Sequence, residues 1–450
     1  MVKEQGSRQS SMVAEAPRPT SAIVTSHDKE IQPPTNGQHN ENFAATSIGW
    51  ILQGGVLLSA AVIILGILLL PLRPGGLSPE RVLAFPATIS QVIAGLLIFR
   101  PQAIITLGLL MLIATPVIRV AASILVFAVE RDRKFVVITL VVLAILLVSL
   151  FFGGKSPTTG AHPDMQHLHF SLEIVLLIFL GSIAAGLLGS LVGLGGGVLI
   201  VPLLTLAFGL PISFAIGASI ISVIATSSGA AAAYVRDHLT NMRVGMFLEL
   251  ATTTGAICGA FLAGLLAPNL LAVIFGFILL ISAAPIIFKM GEELPRGVTN
   301  DRLANKLQLA SSYPDHYLGK EVSYQVTRTP LGLAMMYIAG LISGLLGIGS
   351  GTFKVVALDL LMRLPMKVST TTSNFMIGVT AAASAGIYFS RGDIPPLVAA
   401  PVALGILIGA LLGARLLVRL SNKTLRLVFV PVIAAAAIEM ILHGLGIGTF

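Results

Sequence analysis

The stretch Gly193-Leu-Gly-Gly-Gly-Val-Leu-Ile-Val-Pro202 decides the fold, because a similar stretch, Gly347-Ile-Gly-Ser-Gly-Thr-Phe-Lys-Val-Val356, follows it at an offset of 154 residues. Each stretch leads into an apolar segment of only 11 or 12 residues. Such a segment is short for a hydrocarbon core about 30 Å thick. Glycines at alternate positions let the backbone adopt positive φ and approach a ligand closely. The two stretches therefore predict a pair of broken helices in a repeated unit.

The repeat extends well beyond the glycine-rich stretches. The same offset aligns Ser219 with Ser373 and Thr226 with Thr380, and it continues without a gap as far as Phe275. Each unit crosses the membrane an odd number of times, so the second unit is inverted, as in many secondary transporters. Each unit is predicted to hold five segments: Phe170–Gly189, Val198–Gly209, Phe214–Tyr234, Gly245–Leu266 and Asn269–Phe288, then Leu331–Leu346, Thr352–Met362, Val368–Phe389, Leu397–Val418 and Thr424–His443.

The composition places the chain in a lipid bilayer. Of 450 residues, 55% are hydrophobic and 11% are charged, whereas soluble domains carry about 25% charged residues. This excludes a soluble enzyme, a coiled coil, a disordered scaffold and a nucleic-acid-binding protein. The single cysteine, Cys258, leaves no internal disulfide and no cysteine metal cluster. We predict an all-α polytopic membrane protein without a cofactor, a metal or a nucleic-acid partner; a homo-oligomer is left open.

Further regions flank the two repeats. They are a disordered cytoplasmic tail (1–43), a three-helix membrane module (44–153), an outer linker (154–169) and a cytoplasmic loop (289–330) between repeat 1 (170–288) and repeat 2 (331–450). The module's apolar segments are Thr46–Leu70, Gln102–Val129 and Phe135–Phe152, and we place Leu77–Phe99 outside the hydrocarbon core. With the N-terminus in the cytoplasm, 16 basic residues lie in cytoplasmic connections and five lie outside. The positive-inside rule then predicts a multi-pass protein of the cytoplasmic (inner) membrane with its C-terminus outside.

The glycine-rich loops are the first candidate site. A short helix follows each loop, so its free N–H groups and positive end would face the loop and attract an anion. Irregular backbone at membrane depth is tolerated where it is buried or lines a cavity. The competing interpretation is that the glycines only allow helices to pack closely. The predicted substrate-binding residues here are Gly193, Gly195, Gly196 and Gly197 in repeat 1, and Gly347, Gly349, Ser350 and Gly351 in repeat 2.

Hydroxyl and amide side chains in the segment after each short helix form a second candidate group. They donate hydrogen bonds without adding charge, which suits a site that must bind and then release its ligand. The alternative is hydrogen bonding between helices, worth about 0.6 kcal/mol per pair. The candidates are Ser219 and Thr226, their repeat mates Ser373 and Thr380, and Asn374.

Charged residues inside apolar segments are functional hypotheses by default, and Lys354 is the first of them. It lies three residues past Gly351, where a fixed positive charge would attract an anion, and its repeat mate is the neutral Ile200. Asp359 is expected to neutralise Lys354 or to carry a coupling proton. An internal Lys–Asp ion pair without a substrate role is the competing interpretation.

Three other charged residues are assigned to the membrane surface. Glu249 and Arg415 lie near the ends of their segments, so we expect them to reach the interface with their long side chains. Arg119 is treated in the same way, because it follows Pro116 closely.

A histidine-rich group in the outer linker, His162, Asp164, His167 and His169, fits no strong zinc spacing.

The chain from Phe170 to His443 resembles the TauE/SafE sulfite exporter family. The resemblance rests on the repeated Gly-x-Gly-Gly-Gly-x-x-x-Val-Pro pattern before a short helix. The stretch Thr372–Asp393 is similar to a subgroup whose members often occur with a small uncharacterised three-helix membrane protein, and residues 46–152 resemble that protein. The second copy departs from the pattern at Ser350 and Val356, which together with Lys354 suggests a specialised half-site.

The resemblance implies a secondary transporter, generally an exporter, of sulfite or small organosulfonate anions. The repeats would rock to give alternating access to a site near the midplane. An anion channel would use the same loops, and a membrane sensor or scaffold would dock a partner on the module or the loop 289–330. An enzyme is disfavoured, because the apolar segments hold no catalytic set at a suggestive spacing.

Overall fold

The computed structural model describes residues 36–71, 86, 88–152, 172–192, 196–236, 239–288, 295, 297–315, 320–417 and 422–447. Helices dominate this part of the chain. The N-terminal helices are α1 (Asn36–Leu69), α2 (Ile89–Leu97), α3 (Pro101–Val129) and α4 (Arg133–Phe152). Repeat 1 contains α5 (Leu172–Val192), α6 (Gly197–Pro202), α7 (Ile212–Arg236), α8 (Met242–Ala263) and α9 (Pro268–Phe288). The connecting loop contains α10 (Arg302–Leu307), β1 (Ser311–Asp315) and β2 (Lys320–Tyr324), and repeat 2 contains α11 (Thr329–Leu346), α12 (Gly351–Val356), α13 (Met366–Arg391), α14 (Pro396–Leu417) and α15 (Asn422–Gly444).

The predicted fold class is confirmed: the chain is an all-α polytopic membrane protein. Five helices within the described ranges are long and apolar enough to cross a bilayer. Their apolar windows are Pro101–Val129, Arg133–Phe151, Met242–Ala263, Thr329–Leu346 and Pro396–Gly413.

The N-terminal boundary differs from the expectation. Helix α1 begins at Asn36 rather than at Thr46, so residues 36–43 are helical and not part of a tail. Once an apolar segment has nucleated a helix, each added residue fixes one set of dihedrals and gains one hydrogen bond, so polar flanks join readily. Helix α2 has nine residues, too few to span a bilayer. The outer linker and residues 1–35 lie outside the described residues.

The third segments of the two repeats, α7 and α13, pack against each other in opposite directions. Gly217 near the start of α7 touches the backbone of Asp393 after the end of α13. Further along α7, Ser227 touches Gly378 in the middle of α13. Equivalent helices that pack antiparallel are related by a two-fold axis perpendicular to them, so the predicted inverted repeat is confirmed.

The first and fourth segments exchange partners between the repeats. Helix α5 packs on α14, and α8 packs on α11. A side chain at Gly409 would collide with the carbonyl of Ile183, and one at Gly255 would collide with the carbonyl of Tyr337. Both members of the second pair differ from those of the first by the 154-residue offset. The repeat found in the sequence is therefore also a repeat of close backbone contacts.

The N-terminal module is docked against both repeats. Helix α1 packs on α3 and α7, while α4 packs on α8 and α13. The hydroxyl of Ser149 donates a hydrogen bond to the carbonyl of Ala383. In the turn between α3 and α4, Oε2 of Glu130 and Oδ2 of Asp132 lie 3.5 Å and 3.3 Å from Nη2 of Arg243 on α8. The module thus packs directly against helices of both repeats.

The loop 289–330, expected only to be hydrophilic, contains folded structure. Strands β1 and β2 pair antiparallel, with Ser311 opposite Tyr324. The side chain of Asp301 accepts a hydrogen bond from the backbone N–H of Ala304 at 2.6 Å and so caps α10. Asn241, the residue before α8, donates a hydrogen bond from its side-chain amide to the carbonyl of Leu309 at 2.9 Å. This bond links α8 to the chain that leads into the hairpin.

Candidate functional site

Both short helices have the form that the glycine-rich stretches predict. Helices α6 and α12 have six residues each, and each continues into a five-residue π-helical turn, Leu203–Ala207 and Ala357–Leu361. Neither reaches the length of a membrane span. Gly193 and Gly195 lie outside the described residues.

Positive φ angles occur at the loop positions where glycine was expected to permit them. Gly347 and Gly349 both have φ of 69°. Gly196 has φ of 66°, and its repeat mate Ser350 has φ of 47°. Left-handed backbone is unfavourable for a residue with a side chain. Gly196 and Ser350 differ in ψ, at −34° and 28°. The departure from glycine at Ser350 therefore places a serine in the left-handed region and adds a buried hydroxyl.

Ser219 joins the two glycine-rich loops. Its hydroxyl lies 2.9 Å from the carbonyl of Gly197 and 2.8 Å from the carbonyl of Gly347. The repeat mate Ser373 donates to the carbonyl of Gly351 at 3.2 Å. These hydroxyls hold the loops in place, so the geometry favours the interhelical-bonding interpretation for both serines.

Lys354, Thr380 and Glu249 form a buried chain of polar contacts next to the loops. Lys354 has no exposed surface, and its ammonium donates to the hydroxyl of Thr380 at 2.5 Å. Thr380 in turn donates to Oε1 of Glu249 at 2.9 Å. The three residues come from α12, α13 and α8. The structure thus unites elements of both repeats around one hydroxyl.

The surface assignments of Glu249 and Arg119 are wrong. Glu249 is 1% exposed and Arg119 is 0% exposed, so neither side chain reaches the interface. Oε2 of Glu249 has no hydrogen-bond partner among the described residues. The carboxylate that shares a hydroxyl with Lys354 is therefore Glu249. The signal in the sequence was the position of Glu249 within its helix. Glu249 lies seven residues after the start of α8, which is about 10 Å along the helix axis and too far from the end to be a terminal residue.

The other predicted residues differ in their burial. Thr226 is half-buried and donates to the carbonyl of Ser222 at 3.1 Å, within its own helix. Asn374 is half-buried on α13, and Asp359 is buried on the π-helical turn after α12. A coupling role for Asp359 stays a prediction. Arg415 is exposed, as expected.

Metal binding has no support in the described part of the chain, where no group of three His, Cys, Asp or Glu side chains could hold an ion. The histidine-rich group of the outer linker lies outside the described residues.

Comparisons with known proteins find two family models that match this chain. Residues 177–440 match the family model described as sulfite exporter TauE/SafE. Residues 48–151 match a second model, described as a protein of unknown function (DUF1634). No solved structure matches the chain.

Three curated relatives are probable membrane transporter proteins. The Bacillus subtilis proteins YunE and YdhB are each 28% identical, covering 61% and 52% of this chain and 99% and 84% of their own lengths. A Methanocaldococcus jannaschii relative is 25% identical over 61% of this chain and 97% of its own length.

Proposed function

Since this chain belongs to the sulfite exporter TauE/SafE family, we propose that it is a secondary transporter of small anions such as sulfite or organosulfonates. The anion would cross the cytoplasmic membrane, generally outward, by alternating access. The chain is a membrane transporter by its family and by the names of its relatives.

The observation that carries the proposal is the buried ammonium of Lys354. A charge removed from water is costly unless an opposite charge or hydrogen-bonding partners compensate. Here the ammonium meets a hydroxyl at 2.5 Å and shares that hydroxyl with one carboxylate. A small anion beside the second glycine-rich loop would supply further compensation and could leave again.

The inverted repeats support alternating access. Their third segments, α7 and α13, cross the centre side by side, and Ser219 ties the first loop to the second. Small rotations of one repeat against the other would open the centre first to one side and then to the other. Glu249 from repeat 1 and Lys354 from repeat 2 would separate or approach in that motion.

The test is uptake of labelled sulfite into proteoliposomes that contain the purified full chain, with sulfate and taurine as comparison anions. We expect saturable uptake, and we expect Lys354→Ala to raise KM at least tenfold, because hydrogen bonds to charged groups are worth about 1.5–3 kcal/mol. Ile200→Ala, the matched change in repeat 1, should leave KM within about twofold of that of the natural chain.

Two other results would point elsewhere. Conductance that does not saturate would indicate an anion channel. An absence of flux for every anion, with either a membrane potential or a pH gradient, would favour a sensor or scaffold.

A further inference from the structure

Arg119 reaches from the N-terminal module into the centre of the transporter. It lies on α3, and its guanidinium carbon is 4.6 Å from the ring centre of Phe375 on α13. Gly378, one turn beyond Phe375, makes room for it: a Cβ atom at Gly378 would lie 3.0 Å from Nη2 of Arg119. Arg119 interacts electrostatically with both Glu249 and Lys354, so it lies near the Lys354–Thr380–Glu249 contacts.

The guanidinium is buried and unsatisfied. Nε, Nη1 and Nη2 of Arg119 have no hydrogen-bond acceptor among the described residues, although the residue is 0% exposed. Arginine stays charged in proteins and presents five N–H donors in a planar fork. The ring of Phe375 contacts the cation face and accepts none of these hydrogen bonds. Buried charged groups are nearly always hydrogen-bonded, so these free N–H groups are available to bind a ligand with hydrogen-bond acceptors.

The local charge has the sign that an anion would neutralise. Arg119 and Lys354 are both cations, and Glu249 is the carboxylate with which both interact electrostatically. Arg119 and Lys354 also repel each other. The three residues together carry one positive charge in excess when all are ionised.

We propose that Arg119 is a ligand of the transported anion, so that the N-terminal module supplies part of the substrate site. This inference rests on the proposed function. The planar fork of Arg119 suits an oxyanion that offers two oxygens, as sulfite and sulfonates do, because paired N–H donors match paired oxygens. Lys354 adds a point charge, and the anion lies between the module and repeat 2.

The test uses the full chain and two readouts, proteoliposome uptake of sulfite and the rise in unfolding temperature that sulfite causes in detergent. We expect Arg119→Met to raise KM about 10- to 100-fold, as for loss of charge-assisted hydrogen bonds, and to abolish the sulfite-dependent rise. Arg119→Lys keeps the charge and loses the fork, so we expect an increase in KM of about tenfold.

Arg243→Gln is the matched control. It removes a cation that joins repeat 1 to the module at Glu130 and Asp132, away from the site, and we expect KM and the sulfite-dependent rise to stay unchanged. If it raises KM as much as Arg119→Met does, Arg119 acts only in docking and the proposal is wrong.

Failure of this inference differs from failure of the proposed function. Saturable sulfite uptake by the natural chain, combined with natural KM and natural sulfite stabilisation in Arg119→Met, would overturn the role of Arg119 and leave transport intact. If Arg119→Met does not fold, Arg119→Lys decides, and a KM within about twofold of the natural value would overturn the proposal. Absence of flux and of stabilisation in the natural chain would overturn both.

Discussion

The two repeats share their backbone contacts and differ in their charges. The hydrogen bond from Ser219 to the carbonyl of Gly197 in repeat 1 is equivalent to the hydrogen bond from Ser373 to the carbonyl of Gly351 in repeat 2. Yet Lys354 of repeat 2 corresponds to Ile200 in repeat 1, and Glu249 of repeat 1 corresponds to Ala403 in repeat 2.

This difference separates two tasks within one fold. Symmetric contacts build the same scaffold in both repeats. Each half contributes one charge to a single asymmetric cluster, and the N-terminal module adds Arg119 as a third. Substitutions at the two symmetric positions of a pair should therefore destabilise the protein to the same extent. Substitutions at the charged positions should change transport, whereas substitutions at their repeat mates should not.

The largest effect is expected from filling the symmetric helix contacts. Gly409→Leu and Gly255→Leu both place a side chain against the backbone of the partner helix. Overpacking costs about 1–3 kcal/mol, and we expect more here because a helix backbone cannot step aside as a side chain can. Both variants should lose most of the monodisperse protein in size-exclusion chromatography.

Gly54→Leu is the control for those variants, because a Cβ atom at Gly54 meets nothing within 4 Å. It should purify like the natural chain. A large difference in yield between Gly409→Leu and Gly255→Leu would break the equivalence of the two contacts.

A smaller effect is expected at the asymmetric carboxylate. Glu249→Gln removes the negative charge that interacts with both Lys354 and Arg119. Nearby charges interact by a few kcal/mol even at an effective dielectric constant of about 20. The empty protein should therefore be less stable and should bind an anion about tenfold more tightly. Release should slow, and kcat should fall with KM. Sulfite uptake across a range of pH values measures both constants and any proton dependence.

Asp359→Asn is the companion variant, since Asp359 is the coupling residue predicted from the sequence. We expect Glu249→Gln to flatten the pH dependence of uptake and Asp359→Asn to preserve it. The reverse result would assign the coupling proton to Asp359.

The smallest effect is expected where the two loops differ by one hydroxyl. Ser350→Gly relieves left-handed strain and removes a buried hydroxyl that has no hydrogen-bond partner in the described structure, so stability should rise by less than about 1 kcal/mol. The reciprocal change, Gly196→Ser, should lower stability, because a Cβ atom there would lie 2.7 Å from Cδ1 of Ile406. Thermal unfolding in detergent compares the two, and equal shifts would show that the loops are interchangeable.

Much of the scaffold could be predicted from the sequence, because apolar runs and glycine spacing are local signals. The predicted segment Gln102–Val129 corresponds to α3, which begins at Pro101, and Asn269–Phe288 corresponds to α9, which begins at Pro268. The constant offset predicted which residues are equivalent in space. Lys354 stood out because a lysine in a short apolar segment has no local explanation.

The charged cluster could be predicted only in part, because its members meet through tertiary packing. Glu249 has a plausible local explanation in its nearness to the end of its segment, and Arg119 has one in its position after Pro116. Their meeting depends on α3 packing against α13 and on α8 lying beside α13, which no spacing in the sequence reveals. The folded hairpin in the loop was missed because its short strands carry little apolar periodicity.

The exchange of partners between repeats has a consequence for biogenesis. Helix α5 emerges from the ribosome early, but its partner α14 is synthesised only after the rest of repeat 1, the connecting loop and the first three helices of repeat 2. Until then, the glycine face of α5 has no partner of its own chain and must be covered by lipid or by the insertion machinery. Assembly of the core is therefore a late event in synthesis, and the N-terminal module, made first and packed against α7, α8 and α13, is in place to receive each repeat as it arrives.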